Sequence, residues 1–109
     1  GLESCPLSIN EYLIPENYEI KNIYPNPFNP VANISYGLPE STYIYILIYD
    51  INGNIVQTLL NSFQLAGYYS INWNASNFSS GIYFVKVIAG SVGLSDISFS
   101  QIQKIMLIK

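Results

Sequence analysis

Seven carboxylates are scattered along the chain, at Glu3, Glu11, Glu16, Glu19, Glu40, Asp50 and Asp96. None of their spacings sets two side by side on neighbouring strands as a general acid and base. There is no histidine, which excludes His-based triads and His-ligated metals. No catalytic residue, metal or cofactor is therefore expected. "DINGN" (50–54) offers alternating oxygen donors in Asp50, Asn52 and Asn54, half of a calcium loop, but it lacks a distal bidentate glutamate. An Asn52-Gly53 hairpin turn accounts for the same residues. Asn33, Asn74 and Asn77 begin glycosylation-type triplets that an asparagine-rich chain generates by chance. Trp73 could serve as a sugar platform, although its place in an alternating strand favours the core. Cys5 is the only cysteine, so it can pair only between chains or remain a free thiol.

The elements that would position such groups are all β. Half of the 109 residues are hydrophobic and ten are tyrosine, ample for one core. Charged residues make up 10%, against roughly 25% in an average soluble domain. So little charge leaves little repulsion between copies and favours association. Four lysines, no arginine and a formal charge of −3 argue against nucleic acid, which needs a basic face. No apolar run approaches the roughly 20 residues of a membrane-spanning helix. The first residues do not read as a basic-then-apolar leader, so any such leader is expected to be removed or to lie outside this sequence.

Residues 1–17 carry Pro6 and Pro15 without a clean period and read as an arm or linker; 18–109 form the domain. Strands are expected at 18–23 as a short edge, 31–38, 42–50, 54–60, 67–74, 81–90 and 103–109. The Asn52-Gly53 pair predicts a type I′ hairpin, and 90–102 a longer excursion. Short strands with turns between them predict an all-β, antiparallel sandwich of about seven strands. Its core would draw on Ile34, Tyr36, Ile44, Ile46, Ile48, Ile71, Trp73, Tyr83, Val85, Val87 and Leu107. In "TYIYILIYD" (42–50), with Ile44, Ile46 and Ile48 inward, Tyr43, Tyr45 and Leu47 must face out, as must Phe84 and Ile88 in "GIYFVKVIAG" (81–90). These five define a candidate interface.

"YPNPFNP" (24–30) packs three prolines around one phenylalanine. Pro25, Pro27 and Pro30 fix φ and push Tyr24, Asn26 and Asn29 towards extended geometry. Asn26 and Asn29 suit Asx turns. The segment should form a preformed corner with Phe28 plugging an open end.

"YPNPFNP", "ISYGLPE", "YDINGNIV", "AGYYSINW", "SSGIYFVKV" and the ending "KIMLIK" occur in an order and spacing, over about 18–109, that resemble the C-terminal sorting domain of the type IX secretion system. That family is related to the immunoglobulin-like domain of the flagellar hook-capping protein. The resemblance implies a non-catalytic export signal, read by an outer-membrane translocon, for a secreted or surface-displayed protein of a Gram-negative bacterium. It also implies that the knot, with Lys104 and Lys109 flanking the last strand as the family's terminal lysines do, takes part in recognition. Relatives follow a large passenger, carry polar groups on outward positions, and have a short turn where 91–103 stands here. Such departures suit a second reading, a self-assembling subunit of an extracellular filament or surface layer. There the partners would be other copies, the N-terminal arm would add a strand to a neighbour and Cys5 would cross-link chains. An adhesive or sugar-binding module is the third.

Overall fold

The computed structural model describes residues 14–109, except for the side chain of Leu94. Strands β1 (Glu19–Ile20), β2 (Val31–Leu38), β3 (Thr42–Tyr49), β4 (Ile55–Gln64), β5 (Gly67–Asn74), β6 (Gly81–Gly90) and β7 (Ile97–Leu107) follow one another, with a 3-10 turn at Val92–Leu94 between the last two. They form two antiparallel sheets, β1-β2-β5 and β4-β3-β6-β7. The protein is thus an all-β immunoglobulin-like sandwich.

Alternation decides the inner faces. Ile44, Ile46 and Ile48 of β3 and Val85 and Val87 of β6 meet Ala32, Ile34, Tyr36 and Leu38 of β2 in one core. Trp73 of β5 belongs to the same core and is fully buried. Its ring contacts Phe28, Phe78 and Tyr83 at centroid distances of 5.4, 5.5 and 5.4 Å. Burying an indole leaves its N–H in need of a partner, and Gln57 of β4 turns inward to accept it at 2.9 Å. This rules out Trp73 as an exposed sugar platform. Of the expected core residues only Ile71, on the edge strand β5, is half-buried rather than buried. Tyr83, at the start of β6, donates its hydroxyl to the carbonyl of Ser79 at 2.7 Å. This is the tyrosine corner of immunoglobulin-like sandwiches, and it gives "SSGIY" a structural purpose.

Three expectations need correction. The 18–23 edge strand contracts to Glu19–Ile20, followed by one bond from Lys21 N–H to Ser35 O and an isolated two-bond bridge between Tyr24 and Asn33. The β3–β4 turn closes one residue earlier than a type I′ turn on Asn52-Gly53. Gly53 N–H donates to Asp50 O, and Gly53 takes φ 86°, as in a type I turn followed by a left-handed residue. The long excursion at 90–102 is largely strand: β7 begins at Ile97 and pairs with β6 through Leu107. A bulge at Ala89/Gly90 lets the short 91–96 loop return. A Cβ on Gly90 would lie 2.3 Å from the carbonyl oxygen of Asp96, so that return needs glycine.

Candidate functional site

Within "YPNPFNP" only Phe28 is buried, at 1% exposure; Pro30 is half-buried and the rest are exposed. Its three X–Pro peptides are cis. The segment does plug one end of the sandwich, with the Phe28 ring on Trp73. It also does something that its composition did not reveal. Phe28 forms a parallel bridge with Leu107: its N–H donates to Met106 O, and Ile108 N–H donates to Phe28 O, both at 2.9 Å. Two residues earlier, the Asn26 amide acts like a strand backbone. Its Nδ2 donates to Lys104 O at 3.3 Å, and its Oδ1 accepts from Met106 N–H at 3.1 Å. Asn26 therefore pairs with the terminal strand, where an Asx turn had been expected. The knot covers the free edge of β7 over Lys104–Ile108 and satisfies backbone groups that an edge strand would leave open.

The terminal lysines come to the same end of the molecule. Lys104 is exposed on the outward side of β7, opposite Phe84. Lys109 is held by two contacts: its N–H donates to Ser80 Oγ at 3.0 Å, and its ammonium donates to the Ser76 carbonyl. Tyr24 is 61% exposed and fixed by reciprocal backbone bonds with Asn33. The structure thus gathers Tyr24–Pro30 with the Lys104–Lys109 segment, although almost 80 residues separate Asn26 from its partner.

The five residues of the candidate interface all lie on the outward face of β4-β3-β6-β7. Tyr43, Tyr45, Leu47 and Phe84 are half-buried, and the Tyr43 and Tyr45 rings lie 5.2 Å apart. Ile88 departs from its expected exposure. It faces outward beside Tyr45, its cross-strand partner, but is only 7% exposed and offers a partner little area. Sequence reading missed Ile55, Phe63, Ile97, Ile102 and Met106 on this face, each at least 40% exposed. The opposite sheet is different outside: Asn33 donates to Ser70 Oγ and Asn72 Oδ1 at 2.8 Å, and Ser35 to Asn33. A polar ladder covers one sheet and an apolar skin the other.

The "DINGN" carboxylate is used by its own turn, since Asp50 Oδ1 accepts from Asn52 and Asn54 N–H at 2.9 and 3.0 Å. Among the described residues no group of three His, Cys, Asp or Glu could hold a metal, and no helix is long and apolar enough to cross a membrane. Cys5 and most of the 1–17 arm lie outside the described residues.

A two-sheet sandwich with a proline clasp and one apolar outer face could belong to any of several domain families built on this fold. The comparisons specify which: a model of the secretion system C-terminal sorting domain matches residues 22–103, and the chain belongs to that family. The family's domain is a non-catalytic signal that marks proteins for type IX secretion and display on the outer surface of Gram-negative bacteria. Five chains of solved structures match. One, the crystal structure of dimeric latent PorU from Porphyromonas gingivalis, aligns with a TM-score of 0.65 at 16% identity, covering 84% of this chain and 9% of that one. At that identity the likeness concerns the fold. No curated protein matches.

Proposed function

We propose that the domain is read by the outer-membrane translocon of the type IX system through one composite surface, made by the proline clasp and the end of β7. The observation that carries this reading is the four-bond seam in which Asn26 and Phe28 bind Lys104, Met106 and Ile108. A signal split between distant parts of the sequence exists as one object only after folding, so the translocon would read a folded domain. Tyr24 and Lys104 supply an exposed aromatic and an exposed cation beside the seam, suited to a partner that offers a cleft and a carboxylate.

The test is a fusion of this chain to the C-terminus of a reporter in a type IX-competent host. The reporter is expected on the cell surface or in the medium. Retention inside a competent cell, with the domain folded, would remove the reading. Self-assembly is a second reading, favoured by the apolar outer face.

A further inference from the structure

We propose that two copies of this chain associate through the outward faces of β4-β3-β6-β7, related by a two-fold axis that lies between the sheets and runs across the strands. The inference does not depend on the export reading. It starts from the rows that cross the sheet: Phe63–Tyr43–Gly90–Ile97, Asn61–Tyr45–Ile88–Ser100, Thr58–Leu47–Lys86–Ile102 and Ile55–Tyr49–Phe84–Lys104. Only Lys86 and Lys104 among these sixteen positions are charged. Four strands about 4.8 Å apart and some eight residues long at about 3.3 Å each span roughly 500 Å² in projection. With side-chain relief, that face approaches the ~800 Å² per partner of a stable interface.

Charge identifies the occupant as a second copy. Both lysines lie towards one end of the face. At the other end, Asp96 and Glu40 are exposed and border a groove shared with Tyr43 and Phe63; Glu40 also accepts the Tyr18 hydroxyl at 2.7 Å and keeps its charge. Asp50 borders the groove at the lysine end with Lys86 and Phe84, so that end carries two cations against one carboxylate and remains net positive. Rotation about an axis across the strands reverses strand direction in the facing copy. Each lysine end then lies over the acidic end of its partner, twice per dimer, while the tyrosines and Leu47 meet at the centre. An isologous contact requires this self-complementarity, and a like-charged arrangement is disfavoured.

The test is sedimentation velocity of the full 109-residue chain under reducing conditions, so that Cys5 cannot link chains, from about 1 µM to about 1 mM. A concentration-dependent dimer is expected. The double variants Lys86→Glu/Lys104→Glu and Glu40→Lys/Asp96→Lys should each weaken self-association about tenfold or more, and an equimolar mixture of the two should restore a heterodimer. Ile102→Lys should weaken the dimer, and Tyr68→Lys, on the polar sheet, should leave it intact. A wild type that remains monomeric throughout overturns the proposal. So does a mixture that associates no better than its components, or loss of the dimer in Tyr68→Lys with Ile102→Lys unaffected.

Discussion

Truncating Phe28 to alanine removes the one buried side chain of the clasp, and its cost can be worked out from the structure. The ring is 1% exposed and sits 5.4 Å from the Trp73 ring. Phe→Ala in a packed core costs about 3–5 kcal/mol, of which the aromatic pair contributes about 0.5–1.5 kcal/mol. The site is at one end of the sandwich, where chain can settle inward, so a value near 3 kcal/mol is expected. Against a total stability of about 5–15 kcal/mol, that is a large share. The loss should also spread along the seam, because the Phe28 backbone holds Met106 and Ile108 only while its ring is anchored. Urea unfolding followed by the single tryptophan measures the first effect. Amide exchange at Ile108, whose N–H donates to Phe28 O, measures the second. Tyr24→Ala, at an exposed neighbour, should cost under about 0.5 kcal/mol. If Phe28→Ala lay within 1 kcal/mol of wild type with Ile108 exchange unchanged, the clasp would not be the closure described here.

Three further outcomes follow from the same packing. Gln57→Leu leaves the buried Trp73 N–H without its acceptor and should cost about 1–3 kcal/mol, read as a lower urea midpoint with altered tryptophan emission. Gly90→Ala drives a Cβ against the Asp96 carbonyl and should cost about 1–3 kcal/mol, with faster exchange at Ser91, whose N–H donates to that carbonyl. Tyr36 is buried, with its hydroxyl on Gln64 Oε1 at 2.6 Å, and burial pushes its pKa from 10.0 up to about 12. The folded state therefore holds this proton more tightly than the unfolded chain. Tyr36's contribution is fully present below pH 10 and is lost as pH rises from 10 towards 12. Urea midpoints from pH 8 to 11 should be level and then fall, and Tyr36→Phe should flatten the fall.

The sequence made most of the sandwich legible because its central strands obey the period of two without conflict. "TYIYILIY" places Ile44, Ile46 and Ile48 inward and "GIYFVKVIAG" places Tyr83, Val85, Val87 and Ala89 inward, and β2, β5 and β6 have the boundaries the pattern suggests. The first half of β7 was illegible for the opposite reason. Ile102 faces outward beside Lys86, while Gln101 and Gln103 pair with the inward Val87 and Val85, so polarity runs against orientation. The candidate site was half legible. Proline and asparagine chemistry indicated a rigid corner and Phe28 a plug, both local inferences. That Asn26 would pair with β7 is a matter of tertiary approach, and local asparagine chemistry pointed to a nearby turn. The breadth of the apolar face was hidden in the same way, because Phe63 and Ile102 lie on different strands and become neighbours of Tyr43 and Lys86 only through register.

The most direct measurement compares reporter export by the wild-type domain with export by two folded variants. Tyr24→Ala/Lys104→Ala alters the surface beside the clasp seam, and Ser70→Ala/Asn72→Ala alters the polar ladder on the other sheet. Each variant is checked for a cooperative urea transition. The first pair is expected to retain the reporter inside the cell and the second to export it as wild type does. Equal export from both variants would contradict the composite-surface reading.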